Sequence, residues 1–232
     1  MSNSIAQQLD RGLFRKFPRQ IKAELAASAI IRSFKSDTAI YCVGDASDGL
    51  YGVLDGCVRL TGTDLDGKLF IYGIMRPDWW FGETSTLDGE TRAQNAIAAE
   101  DCRITMIPRP VLMKVLEREP KLYRFFIEIM CKRLRRAGEV VEETAFLNTN
   151  LRLANALIRI HKDRKKYPLK LTQEDLAANL GVTRQSIYRT IKGWQKEKWV
   201  SVEYGNIAIL KPDRLRSLID KAGRGGTQNL NK

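Results

Sequence analysis

A basic stretch near the C-terminus, residues 181–194, reads GVTRQSIYRTIKGW. Its apolar residues Ile187, Ile191 and Trp194 recur at spacings of four and three, which places them on one face of a helix. The cationic and polar side chains of the same helix lie on its other faces, where they are free to contact a partner. These side chains are Arg184, Gln185, Tyr188 and Arg189.

The residues on either side of this stretch extend the pattern to a winged helix-turn-helix. Before it, Thr172 stands three residues ahead of Asp175, which is a variant of the capping box that begins a helix. Gly181 supplies a tight turn, and Thr183 can cap the second helix. Two short helices joined by a glycine-containing turn are typical of a helix-turn-helix. The runs WVSV and IAIL, on either side of residues 203–206, then predict a β hairpin that forms the wing.

The charge of the chain is concentrated in the same region. The formal net charge is +12, and residues 151–232 hold 18 Lys and Arg against 7 Asp and Glu. The first 150 residues are nearly neutral, with 21 against 20. Basic side chains displace counterions condensed on phosphates, so this asymmetry predicts a nucleic-acid-binding domain attached to a near-neutral partner domain.

The N-terminal part of the chain has a different pattern. Residues 10–33 are predicted to be helical, with a break at Pro18. Residues 35–110 then hold short strand-like runs separated by turn signals such as DLDGK, which predicts an antiparallel β barrel or sandwich. The runs are TAIYCV, GLYGVLDG, CVRLTGTD, KLFIYGIM, QNAIAAE and CRITMIP.

A short helix before Pro120 and a long helix over residues 121–148 follow. The long helix carries apolar residues at alternating spacings of three and four, which is the seam of a coiled coil. Such a stripe can also pack on the β domain, but charged residues flank it closely on both sides, and we favour two-stranded pairing with a second copy. The seam residues are Ile127, Met130, Leu134, Ala137, Val141 and Thr144. A second helix, NLRLANALIRIHKD, and a basic linker, RKKYPLK, lead into the helix-turn-helix.

Composition excludes several other classes of protein. No apolar run approaches the roughly 20 residues that span a bilayer, and the N-terminus lacks the apolar centre of a signal peptide, so we expect a cytoplasmic protein without a membrane partner. The four cysteines are scattered, which predicts neither a disulfide framework nor a zinc or iron–sulfur site. A single histidine argues against a cupin-type β-barrel enzyme, whose metal sites gather several histidines. We therefore predict no metal and no enzymatic activity.

Four motifs, in this order, resemble those of the CRP/FNR family of bacterial transcription regulators over nearly the whole chain: LYGVLDGCVRL, DWWFGETSTLDGETRAQNA, ETAFLNTNLRLANAL and GVTRQSIYR. The resemblance implies an α+β fold with three parts. Residues 1–120 would form a β roll, a jelly roll like that of cyclic-nucleotide-binding domains, with an N-terminal helix. Residues 121–148 would form the dimerisation helix, and residues 149–232 the winged helix-turn-helix.

The same resemblance implies a homodimer that binds an inverted repeat in double-stranded DNA and has RNA polymerase as a further partner. Arg184, Gln185 and Arg189 fall on the family's base-reading positions. A second set of residues is expected to contact phosphate: Thr172, Thr183, Ser186 and Lys192. For the two threonines, helix capping is the alternative role. A binder without sequence preference is the remaining alternative for this domain.

A small effector in the β roll is also implied, because Gly82-Glu83 and Arg92 stand where cyclic-AMP-binding members of the family hold the nucleotide. In those members the carboxylate takes the ribose hydroxyl and the guanidinium pairs with the phosphate. The serine that usually follows the arginine is Ala93 here, and the pair that meets the adenine is Ala137-Gly138. Three alternatives follow: cyclic AMP or a related nucleotide, another small effector, or no effector, with Glu83 and Arg92 forming an internal salt bridge.

Overall fold

The structure, a computed structural model of the chain, describes residues 4–164, 172–203 and 206–227, and only the backbone of residues 162–164 and 222–227. Residues 165–170, which are most of the predicted basic linker, and the Tyr204-Gly205 turn of the predicted wing lie outside the described residues. The chain divides into two compact units, Met1–Arg136 and Ala137–Lys232.

The first unit is built on two antiparallel sheets, each with four strands in the described residues. One sheet has the strand order β1-β8-β3-β6 and the other the order β2-β7-β4-β5, so strands adjacent in the chain are mostly not adjacent in a sheet. This is the topology of a jelly roll. The strands are β1 (Ile30–Phe34), β2 (Ala39–Tyr41), β3 (Gly49–Asp55), β4 (Val58–Thr63), β5 (Leu69–Met75), β6 (Trp80–Phe81), β7 (Asn95–Ala98) and β8 (Cys102–Pro108).

All six predicted strand-like runs contain one of these strands, and their buried side chains form the core between the sheets. Tyr51, Val53, Phe81 and Ile104 belong to that core and are almost completely buried. The side chains of a strand alternate between its two faces, so every second residue of a run can enter the core. The strand-like runs and the turn signals between them therefore located six of the eight strands, and they missed β1 and the two-residue β6.

The prediction of a helix over residues 10–33 is wrong at its C-terminal end. Helix α1 (Ile5–Leu9), a 3-10 turn (Gly12–Lys16) and α2 (Arg19–Ser28) precede β1, which starts at Ile30. Strand β1 pairs antiparallel with β8, with Ile30 opposite Met106. Two β-branched residues begin this segment, and a partner strand more than 60 residues away in sequence supplies its hydrogen bonds. The pairing overrides the local helical pattern.

A second core attaches the N-terminal helices to the rest of the first unit. Phe14 packs edge-on against Trp80, with ring centroids 4.7 Å apart, and both lie in one cluster with Phe17 and Phe126. Helix α4 (Arg109–Arg118) contributes Leu112, Val115 and Leu116 to the same cluster. Burying each large apolar side chain stabilises the fold by about 1.5–3 kcal/mol.

A short helix, α3 (Glu83–Asp88), follows β6 and was not predicted from the sequence. It begins after Gly82, which has a left-handed φ of 79°. A Cβ atom at this position would also lie 2.6 Å from Nη1 of Arg92. Both the backbone conformation and the close guanidinium therefore require glycine here.

The long helix, α5 (Tyr123–Phe146), lies within the predicted range 121–148 and follows a 3-10 turn at Pro120–Leu122. Phe126 is buried in the first unit, whereas most of the later residues of the helix are exposed. The helix begins in the first unit and continues into the second.

The second unit contains the predicted helix-turn-helix. Helices α7 (Gln173–Leu180) and α8 (Arg184–Lys196) are joined at Gly181, whose φ of 64° is left-handed. Ile187, Ile191 and Trp194 are buried, as the spacing predicted. The other elements are α6 (Thr149–Arg164), the antiparallel pair β9 (Val200–Glu203) and β10 (Asn206–Ile209), and α9 (Pro212–Thr227), which was not predicted.

The predicted architecture of a β roll, a long helix and a winged helix-turn-helix is thus confirmed. Among the helices of the described residues, none combines the length and apolar character that crossing a membrane requires. Across the same residues, no group of three or more His, Cys, Asp or Glu side chains could hold a metal ion.

Candidate nucleic-acid interface and β-roll site

The guanidinium of Arg92 lies inside the first unit and is only 1% exposed. Its Nη2 donates to a carboxylate oxygen of Asp48 at 2.8 Å and to the carbonyl of Gly49 at 2.7 Å. Its Nη1 donates to the carbonyl of Gly82 at 3.0 Å and to Oγ of Ser85 at 3.2 Å. Since each Nη carries two hydrogens, four of the five donor hydrogens are used by acceptors of the protein itself.

Two tyrosines cover this guanidinium. Cζ of Arg92 lies 4.4 Å from the ring centroid of Tyr41 and 5.2 Å from that of Tyr51. Burial raises the pKa of Tyr41 to about 12. Burial and a hydrogen bond to Asp48 also raise the pKa of Tyr51, so both rings are neutral at physiological pH. The two tyrosines and Asp48 were not recognised in the sequence, because their relation to Arg92 depends on sheet pairing.

Glu83, the predicted partner of a ribose, pairs with a residue of the long helix. Nη1 of Arg133 lies 2.5 Å from Oε1 of Glu83, and Nη2 of Arg133 donates to the carbonyl of Trp80 at 3.1 Å. Burial raises the pKa of Glu83, and the charge of Arg133 opposes that rise. The ion pairs that form are therefore Glu83–Arg133 and Arg92–Asp48, whereas the predicted alternative was a salt bridge between Glu83 and Arg92.

The other residues predicted for an effector site have small side chains. Ala93 follows Arg92 and is exposed, and Ala137 and Gly138 are exposed on α5. None of the three side chains carries a hydrogen-bonding group. The structure thus brings Gly82, Glu83 and Arg92 together, while the roles of the other three residues remain predictions.

In the second unit, helix α8 presents a basic face. Arg184, Gln185, Arg189 and Lys192 are exposed, and the last three lie on the opposite side of the helix from the buried Ile187. The helix is amphipathic in the manner expected when one side anchors it and the other meets a ligand.

The hydroxyls predicted to contact phosphate are engaged in caps. Oγ1 of Thr172 accepts from the amide of Asp175 at 3.0 Å and donates to its carboxylate at 2.8 Å. Oγ1 of Thr183 accepts from the amide of Ser186 at 3.2 Å, and the two hydroxyls lie 2.9 Å apart. These hydrogen bonds cap the N-termini of α7 and α8. Helix capping is the alternative role that the sequence analysis gave for the two threonines.

The predicted seam of α5 is largely exposed in the single chain. Ile127, Leu134 and Val141 are 59%, 75% and 68% exposed, and they recur every seven residues. Met130 is half-buried, and Ala137 and Thr144 are exposed. An apolar stripe of this kind is unusual on a surface helix.

The comparisons with known proteins identify both parts of the chain. Residues 31–119 match the family model of the cyclic nucleotide-binding domain, and residues 151–218 match that of the Crp-like helix-turn-helix domain. The combination defines a class of DNA-binding transcription regulators.

The relatives are regulators of the same kind. The transcriptional regulator SdrP of Thermus thermophilus is 29% identical over 201 residues, covering 83% of this chain and 96% of the relative. The cyclic AMP receptor protein of the same organism is 26% identical over 178 residues, covering 77% of this chain and 82% of the relative. The crystal structure of a CRP/FNR family transcriptional regulator, also from Thermus thermophilus, aligns with a TM-score of 0.67 at 27% identity, covering 82% of this chain and 98% of the other. The chain belongs to the CRP/FNR family of transcription regulators.

Proposed function

We propose that this CRP/FNR regulator works as a homodimer that reads an inverted repeat in double-stranded DNA with one α8 helix from each subunit. The observation that carries this proposal is the basic face of α8, which exposes Arg184, Gln185 and Arg189 while Ile187 and Ile191 anchor the helix. The half-sites would be centred about 34–36 Å apart, one turn of the duplex.

The chemistry of the three exposed residues suits the major groove. Arginine donates bidentately to O6 and N7 of guanine, and each such pair is worth about 1–3 kcal/mol of discrimination. Glutamine both donates and accepts, so Gln185 suits N6 and N7 of adenine. Arg184 and Gln185 begin α8, which places them on the end of the helix that enters the groove first.

Phosphate contacts would set the register of this helix. Lys192 is exposed about one turn after Arg189 along α8 and supplies a flexible positive charge. One of the two hydroxyls of Thr183 and Ser186 donates to the other, so the second hydroxyl can donate to a phosphate oxygen. Thr172 would act mainly as the cap that directs the first amides of α7 toward the backbone of DNA, because its own proton is given to Asp175.

The dimer would form along residues 121–148, the segment that contains α5. Pairing two copies would bury the exposed side chains of Ile127, Leu134 and Val141, with Met130, Ala137 and Thr144 completing the seam. An isologous two-fold contact places two identical α8 helices in symmetric positions, as an inverted repeat requires.

The surroundings of Arg92 favour DNA binding that needs no cyclic nucleotide. A cyclic phosphate that pairs with the two Nη atoms would have to displace Ser85, Asp48 or a backbone carbonyl from a guanidinium that Tyr41 and Tyr51 cover. The small residues at the predicted phosphate and adenine positions offer no compensating side-chain hydrogen bond. A small effector remains the second candidate, because the first unit matches a cyclic nucleotide-binding domain.

The activity proposed is binding and not catalysis, as in the regulators that this chain resembles. A regulator bound beside a promoter has RNA polymerase as its expected partner, and it would meet both DNA and polymerase in the cytoplasm of a bacterium.

The test is selection of bound sequences from a random duplex library by the purified full chain, with and without cyclic AMP and cyclic GMP. We expect an inverted repeat that is enriched equally in all three conditions. Arg184→Ala should abolish discrimination at one base pair of each half-site and leave nonspecific affinity little changed. Arg216→Ala is the matched control, because it removes an exposed arginine from α9.

Two results would count against the proposal. Recovery of unrelated sequences, or of a site without two-fold symmetry, would contradict the dimeric reader. Enrichment of the inverted repeat only in the presence of a cyclic nucleotide would contradict the proposal that DNA binding needs no cyclic nucleotide.

A further inference from the structure

Tyr188 lies in the middle of the basic face of α8. It stands four residues after Arg184 and four before Lys192, so the three side chains form one line along the helix. Its side chain is 48% exposed. Among residues 172–203 and 206–221, the only other large apolar side chain that is exposed is Leu210.

The ring of Tyr188 has a charged or polar neighbour on both sides along the helix. Nζ of Lys192 lies 5.5 Å from the ring centroid, which is a cation–π contact. Tyr188 and Arg184 together also line a cleft against the first turn of α7, formed by Thr172, Gln173 and Glu174. The ring therefore lies between Arg184 and Lys192, two side chains that face DNA in the proposed complex, and part of its apolar surface is exposed.

A single exposed tyrosine is common on protein surfaces and by itself requires no explanation. The position of this ring distinguishes it. Every other exposed residue in its line is cationic and suits phosphates or guanine, whereas the apolar feature of the major groove is the C5-methyl group of thymine. An aromatic ring in the centre of a recognition face has this methyl group as its natural contact.

We infer that Tyr188 is a specificity-determining residue that reads thymine through contact of its ring with the C5-methyl group. The inference rests on the proposed function, and it adds a base to those read by Arg184, Gln185 and Arg189. The ring also positions Lys192 for the neighbouring phosphate through the cation–π contact.

The experiment removes one methyl group from the DNA. In the operator obtained by selection, each thymine of a half-site is replaced in turn by deoxyuridine, which keeps the base pair and loses only the methyl group. Dissociation constants are measured for the wild type, Tyr188→Phe and Tyr188→Ala. Tyr72→Ala is the matched control, because Tyr72 is an exposed tyrosine of β5 in the first unit.

One replacement is expected to weaken binding of the wild type about three- to tenfold per half-site, the loss of one buried methyl contact. Tyr188→Phe and Tyr72→Ala should show the same loss, and Tyr188→Ala should bind both duplexes equally. A loss that persists in Tyr188→Ala, or no sensitive thymine in the wild type, would overturn the inference. A wild type that selects no operator at all would instead refute the proposed function, so the two failures are distinguishable.

Discussion

Replacing Arg92 with alanine is expected to destabilise the first unit by about 3–5 kcal/mol, and lost hydrogen bonds account for part of that cost. Two of the acceptors that Arg92 would leave, the carbonyls of Gly82 and Gly49, still have another hydrogen-bond donor. The amide of Thr86 donates to the carbonyl of Gly82, and the hydroxyl of Thr86 can donate to that of Gly49. Buried Ser85 loses the guanidinium outright. Leaving one buried polar group without this partner costs about 1–3 kcal/mol.

The rest of the cost comes from packing. The rings of Tyr41 and Tyr51 lose a buried cation, and such a contact contributes about 2 kcal/mol when it is shielded from water. Truncation also leaves a cavity, and it removes a positive charge that lowers the pKa of Glu83. The sum is a large fraction of the 5–15 kcal/mol that typically stabilises a domain.

The assay is hydrogen exchange at increasing urea in peptides that cover β3 and β8, which report on the first unit alone. Arg32→Ala is the matched control, because Arg32 also approaches Asp48, at 3.7 Å, but is half exposed. Its loss should cost less than about 1 kcal/mol. If Arg92→Ala opened at the same urea concentration as the wild type, the guanidinium would have no structural role, and a ligand would be the better explanation of its burial.

Three further predictions concern the seam, one buried carboxyl and one cap. Leu134→Glu should convert the proposed dimer to monomer in analytical ultracentrifugation, whereas Leu65→Glu, at a fully exposed leucine, should not. Because burial raises the folded-state pKa of Glu83 above its ordinary value of 4.5, stability should fall as pH rises from 4.5 through that folded-state pKa, and Glu83→Gln should flatten this part of the urea-midpoint profile. Thr172→Ala should cost the second unit about 1 kcal/mol in urea unfolding, and Thr172→Ser should restore it.

Some features of this protein follow from neighbouring residues alone. The buried face of α8, the cap formed by Thr172 and Asp175, and the exposed apolar stripe of α5 all depend on the spacing of residues along one helix. Such patterns are local, so the sequence is sufficient to predict them.

The partners of the buried charges could not be predicted in this way. Arg92 meets Asp48 across 44 positions of the chain, and Glu83 meets Arg133 across 50. The sequence offers many carboxylates of equal chemistry, and only the tertiary structure brings one of them to each guanidinium, through the order of strands in the two sheets and the packing of the start of α5 in the first unit. The same cause explains why residues 30–33, predicted to be helical, lie in β1: the hydrogen bonds of a strand are made with a partner that is distant in sequence. Local periodicity therefore determined the DNA-reading helix, whereas long-range sheet pairing decided the interior of the β roll.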